Sequence, residues 1–290
     1  MKRKKTGLTM IELLVVLAII ALLVGLLVPA LTLVRNTAKE TKQKAQFATI
    51  ELALAAFKND YGNYPPSDWT PAVFTGDYCG AQKLTEALIG WDLLGFQPNS
   101  DFTSTGINNA GVFVYDTSDS ILFGRRKGPY LEQATTNVFT LGSIFWQTGT
   151  GSLAPDTHVL CDVFKTPKVV MLPDGKTTKA GAPILYYRAN SASEINGIYN
   201  VNDNDAIVGL KEAADEKGHL LGAGPVPPPY SNRDEFFYGT LDPTDGIDGY
   251  IQDSKIRAKV WPYRPDSYIL ISAGADGFYG TDDDIKNFGN

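Results

Sequence analysis

The longest unbroken pattern in the chain is apolar. From Leu13 to Leu31 no residue carries a charge. Such a run is long enough to cross the ~30 Å hydrocarbon layer as one helix. The spanning part is placed at about residues 11–31. The basic residues Lys2, Arg3, Lys4 and Lys5 stand just before it. The positive-inside rule therefore keeps residues 1–7 in the cytoplasm and sends everything after the helix across the membrane. Pro29 falls near the end of the run. A helical proline lacks an amide donor and crowds the carbonyl four residues earlier, here that of Gly25, itself a poor helix former. Gly25–Pro29 is the expected weak point.

Beyond Pro29 the continuous apolar pattern becomes striped. Val34, Ala38, Thr41, Ala45, Ala48, Leu52 and Ala55 follow one helical stripe. A second stripe, Phe47, Ile50, Leu54, Phe57 and Tyr61, begins only at Phe47. Residues 32–45 are thus expected to be half exposed and 46–58 embedded in a domain. The helix should end by Gly62, before Tyr64-Pro65-Pro66. Residues 80–98 read as a short helix with Leu84, Leu88, Leu93 and Leu94 on its apolar side. Strand composition recurs at 160–164, 168–172, 184–189 and 268–272, with turn chemistry at Pro173-Asp174-Gly175-Lys176. The pattern predicts an α+β chain: a long N-terminal helix packed on a small antiparallel sheet. Residues 190–260 read as a loop-rich surface insertion, with a short helix at 205–216.

Composition narrows the function. The 290 residues carry a net charge of −6, which gives nucleic acid no electrostatic support. The two cysteines, Cys79 and Cys161, are compatible with one disulfide outside the cytoplasm or with two small buried residues. No G-x-S-x-G, H-E-x-x-H, C-x-x-C or P-loop pattern occurs. His158 and His219 have no catalytic partner nearby in sequence and read as structural. No enzymatic activity is expected.

Two places hold candidate chemistry. Glu12 is a carboxylate at the edge of a membrane helix, where an ionised group costs up to roughly 2.5–3.5 kcal/mol. It either reaches the headgroups, pairs with Lys5, or has a partner elsewhere. The second place is the C-terminal loop, with Asp276, Asp282, Asp283 and Asp284 on a glycine-rich backbone just after a strand. Left to themselves these carboxylates repel one another. Calcium takes six to eight oxygens at about 2.3–2.6 Å, and glycines let carbonyls turn inward. The spacing does not fit an EF-hand.

The stretch Gly7-Leu8-Thr9-Met10-Ile11-Glu12 behind a short basic leader resembles the N-terminus of type IV prepilins and type II secretion pseudopilins. The resemblance implies residues 1–7 as a leader, cleavage after Gly7 by a prepilin peptidase, and a methylated N-terminus at Leu8. It also implies Glu12, with Thr9 and Pro29, as assembly residues, Glu12 pairing with the N-terminal amine of a neighbouring subunit. Cleavage there removes the leader and keeps the apolar helix, Leu8 to about residue 58, whereas a secretory signal loses its apolar region. The tyrosine-rich loop ending in Tyr64-Pro65, Gly128-Pro129-Tyr130 and the acidic C-terminal loop are similar to the major pseudopilin of type II secretion. There the acidic loop binds calcium, which implies Asp276, Asp282 or Asp284, and Ser272 as metal-site residues, with Asp283 turned outward. The implied partners are the inner-membrane assembly platform, identical subunits and minor pseudopilins. The implied location is the bacterial inner membrane, single-pass, with residues 59–290 periplasmic, and then a filament. A type IV pilin subunit is the other reading. Between Ala189 and Trp261 the resemblance fails.

Overall fold

The structure, a computed structural model, describes residues 9–71, 76–132, 136–146, 149–164, 169–171, 177–193, 197–210, 221, 226–240, 248–256 and 259–289. Compactness divides the chain into two units, Met1–Lys42 and Gln43–Asn290. Helix α1, Met10–Tyr61, supplies the described part of the first unit and the opening element of the second.

In the first unit the large apolar side chains from Met10 to Val34 are exposed, Leu26 and Leu33 by about 70%. The helix runs through Gly25–Pro29 without a break. Its polar continuation is self-contained: the hydroxyls of Thr32, Thr37 and Thr41 each donate to the carbonyl four residues back.

In the second unit the two stripes separate. Phe47, Ile50, Leu54 and Phe57 are buried, while Ala45, Ala48, Leu52 and Ala55 stay exposed. Gly62 ends the helix. Its φ of +81° is open to glycine without strain, and its amide closes on the Lys58 carbonyl at 2.7 Å. Helix α2, Gly80–Ile89, is buried along its whole length and packs on strands β2, His158–Leu160, and β5, Leu185–Arg188. It stops nine residues before the predicted 98. Gly90 has a φ of +102°, and a Cβ there would lie 2.3 Å from the Gly95 carbonyl, so the chain turns away at that point.

The predicted strands do not all join one sheet. β5 pairs with β6, Tyr268–Ser272, and β6 with β7, Ile285–Lys286, all antiparallel. β2 pairs instead with β1, Val138–Thr140, and β3, Val169–Met171, with β4, Thr177–Lys179. The strand expected at 160–164 ends early because Asp162 turns the chain. Its carboxylate accepts the amides of Phe164 and Ala182. The turn expected at 173–176 lies outside the described residues.

The insertion is the main correction to the sequence reading. Strand period places Ile184, Tyr186, Tyr268 and Leu270 on one sheet face, against Leu54, Leu84 and Leu88 from the helices. Leu185, Tyr187, Ile269 and Ile271 point the opposite way and are covered from residues 197–260, by Tyr199, Val201, Ile207, Phe237 and Ile251. The described residues of 190–260 therefore supply a second covering layer where a surface loop was expected. The aromatic helix Arg233–Tyr238 buries Phe236, Phe237 and Tyr238 within it. Of the helix expected at 205–216, Asp205–Val208 is formed, and 211–220 lie outside the described residues. Both cysteines are buried thiols with no disulfide between them, and burial pushes the Cys79 thiol up to about 11.

Candidate functional site

At the N-terminus, Thr9 and Glu12 close on each other. The Thr9 amide and hydroxyl donate to Glu12 Oε2 at 2.8 and 2.7 Å, and the Glu12 amide donates back to Thr9 Oγ1 at 3.3 Å. This is a capping box, in which the N-cap threonine and the glutamate three residues on satisfy amides that the first turn leaves without partners. The spacing Thr9-x-x-Glu12 was the legible signal for it. A carboxylate in the first turn also faces the positive end of the helix dipole. The isolated subunit thus gives Glu12 a local partner, and the group remains exposed. Gly7 and Leu8 lie outside the described residues, as does the Pro29 side chain.

The C-terminal loop is built by backbone geometry. Gly274, with a φ of +64°, brings the chain close to Asp283; a Cβ there would lie 2.3 Å from the Asp283 carbonyl. Asp283, which the resemblance turns outward, points in. Its Oδ2 accepts the amides of Ala275 and Asp276 at 2.7 and 3.0 Å, and its Oδ1 accepts the Thr281 hydroxyl at 2.6 Å. Burial opposes ionisation of Asp283, but these hydrogen bonds outweigh it and hold the carboxyl below its ordinary range. Burial and the Asp283 charge push Asp276 up, although its Oδ1 accepts the Phe278 amide at 2.8 Å.

Asp284 is the most enclosed member. Oδ2 accepts the Gly280 amide at 2.7 Å and the Tyr250 hydroxyl, while Oδ1 is buried without a hydrogen-bond partner. Burial raises this carboxyl to about 7. Lys286 supplies nearby positive charge, its Nζ lying 4.2 Å from the centre of the Tyr250 ring. Asp282 is exposed. Ser272 is buried and donates to Asp162 Oδ2 at 2.9 Å. The loop therefore gathers Asp276, Asp283 and Asp284, leaves Asp282 at the surface and turns Ser272 to another carboxylate. Among the described residues no group of three or more His, Cys, Asp or Glu side chains is arranged to hold a metal ion. Calcium here would rest on the open Asp284 oxygen together with backbone carbonyls. That open oxygen is the point of fit.

His158 is half-buried on β2, and burial pushes its imidazole down, towards the neutral form.

Compared with known proteins, the family model of the prokaryotic N-terminal methylation motif matches residues 2–28. No curated protein and no solved structure matches the chain. The matched segment contains Gly7, Glu12 and most of the apolar run. Among the described residues one helix, α1, is long and apolar enough to cross a membrane. The chain carries a type IV pilin-like prepilin signal, of the kind processed by prepilin peptidase for filament assembly, on a helix fit to serve as a single-pass membrane anchor.

Proposed function

We propose that this chain is a structural filament subunit of a type II secretion pseudopilus. A prepilin peptidase cuts between Gly7 and Leu8 and the new Leu8 amine is methylated. The subunit waits in the inner membrane, its C-terminal unit in the periplasm, until the assembly platform extracts it. Identical subunits then pack through their N-terminal helices, with minor pseudopilins in the same filament. The observation that supports this most is the methylation motif running straight into an apolar helix whose side chains find no cover within the subunit.

Glu12 carries the chemistry of assembly in this reading. In the isolated subunit it caps its own helix through Thr9. In the filament the Leu8 amine of a neighbour replaces that neutral cap with a charge partner. A buried carboxylate left alone in such a pair typically costs about 3–5 kcal/mol, so wrongly registered subunits are rejected. The role is structural and not catalytic.

The C-terminal loop is proposed to take calcium. Support comes from the buried, partnerless Asp284 oxygen and from the Asp276–Asp283 pair, whose mutual repulsion a divalent cation would relieve. Melting of the subunit with calcium and with chelator tests this. A ligand bound only by the folded state must raise the melting temperature, and equal temperatures would sink it.

The second reading is a type IV pilin, for adhesion, motility or DNA uptake. The size of the chain and its insertion favour it. In a deletion strain, loss of specific secreted proteins with surface filaments unchanged supports the pseudopilus. Loss of filaments with secretion intact supports the pilin.

A further inference from the structure

Between its apolar run and the C-terminal unit, helix α1 carries an unbalanced charge. Arg35, Lys39, Glu40, Lys42 and Lys44 are all exposed there. Helical spacing sorts them. Arg35, Lys39 and Lys42 stand at i, i+4 and i+7 and share one side of the helix. Glu40 and Lys44 fall on the opposite side. They are four residues apart with the glutamate first, the order in which opposite charges compensate each other along a helix. The row of three has no such help. Among the described residues no carboxylate forms an ion pair with Arg35, Lys39 or Lys42.

Nothing in the helix needs this row. Like charges three and four residues apart repel and weaken a helix. The row also sits midway along Met10–Tyr61, far from the last turn, where the helix dipole favours cations. The hydroxyls of Thr37 and Thr41 close back on the helix, so these polar neighbours make no outward demand. Three cations in one line therefore call for a counter-charge from outside the chain.

Their position identifies it. Arg35 follows Val34, the last exposed apolar residue of the run. At ~1.5 Å per residue it lies about 6 Å beyond Leu31, where the expected span ends. A bilayer about 40–45 Å thick around a ~30 Å hydrocarbon core leaves about 5–8 Å of headgroups on each side. Arg35 falls inside that layer. Lys39 lies about 12 Å and Lys42 about 16 Å beyond Leu31. Side chains on a helix lean towards its N-terminus, which for this row is the direction of the membrane. Long basic side chains also carry their charge to the interface on an apolar stem. Lys39 reaches the headgroups in this way, and Lys42 stays within about one Debye length (~8 Å) of them. The anionic groups of a bilayer at that depth are phosphates. In a zwitterionic lipid an ammonium already answers the phosphate, so a headgroup with net negative charge is the better partner.

We propose that Arg35, Lys39 and Lys42 form a docking row for anionic phospholipid headgroups, which they hold beside the embedded helix. The proposal rests on α1 as a membrane anchor and is the same for a pseudopilin and a pilin.

The test places the full chain in nanodiscs of equal parts phosphatidylglycerol and phosphatidylcholine. Every chain compared also carries Lys2→Gln, Arg3→Gln, Lys4→Gln and Lys5→Gln, so that the leader collects no anionic lipid itself. Native mass spectrometry of the chain released from the disc counts the lipids that stay bound. Phosphatidylglycerol should be retained over phosphatidylcholine at least roughly fivefold, the scale of one basic side chain at an anionic surface. Arg35→Gln should cut this preference most and Lys42→Gln least, following their distance from the bilayer, and the triple variant should abolish it. Lys44→Gln, on the opposite side, should leave it intact. Equal retention of the two lipids overturns the proposal. So does a preference that survives the triple variant, one that Lys44→Gln alone removes, or a larger loss from Lys42→Gln than from Arg35→Gln. Equal retention together with cross-links from the row to acidic residues of a second copy overturns it in favour of a contact between subunits.

Discussion

Leu27 and Leu54 lie on the same helix and meet opposite fates. Leu27 is 58% exposed and Leu54 is fully buried. The difference is one of pattern, not of hydrophobicity. Around Leu27 apolar residues occupy every side of the helix, and no single packed face accommodates them. Around Leu54 they fall on a stripe, and the domain closes on that stripe alone. An apolar side chain is thus read by its neighbours at three and four residues' distance. The half that is apolar all round must find its cover in lipid and then in other subunits.

The comparison can be broken by mutation, most sharply on the buried side. Leu54→Ala should destabilise the C-terminal unit by about 2–5 kcal/mol, the usual cost of a large-to-small change in a packed core. Thermal or urea unfolding reads it out. Leu23→Lys should act in the opposite place. It should leave unfolding of the C-terminal unit unchanged and cut membrane retention, because a central lysine costs roughly 2.5–3.5 kcal/mol on insertion scales. Carbonate extraction of membranes measures it. If Leu23→Lys also lowered the melting temperature, the division of labour along α1 would fail.

The same contrast holds for carboxylates. Glu12 is exposed and capped locally, whereas Asp284 is buried and raised from 3.8 to about 7. A group whose folded pKa lies above its unfolded value contributes stability that is complete below the unfolded pKa. That stability is lost as pH rises through the folded pKa. Without calcium the unit should therefore lose stability from about pH 4 to pH 7, and Asp284→Asn should flatten that slope. An unchanged slope would mean that Asp284 does not titrate in this window. The smallest effect is expected at Leu52, 73% exposed on the outer stripe, where Leu52→Ala should change stability by less than about 0.5 kcal/mol.

Much of this was legible in sequence because period carries burial. The run at 13–31, the stripe from Phe47 to Phe57 and the strand at 268–272 were all read from spacing. The insertion was misread because its apolar residues keep no long period. Tyr199 and Ile251 reach the core from a bend and a turn, and Phe236 and Phe237 from a helix of six residues. Yet β6 held a clue. Tyr268-Ile269-Leu270-Ile271 does not alternate with polar residues, and such a run implies cover on both faces of the strand. The capping role of Glu12 was equally visible as Thr9-x-x-Glu12. The inward turn of Asp283 was not, because it depends on the close approach at Gly274. Nor was the hydrogen bond of Ser67 to Asp203, which exists only once residues far apart in the chain meet.

The most direct measurement is the intact mass and N-terminal sequence of the chain purified from membranes of cells that contain a prepilin peptidase. The account predicts a chain beginning at N-methylated Leu8, with the whole apolar helix retained. A chain still beginning at Met1, or one cut beyond the apolar run near residue 31, would contradict it.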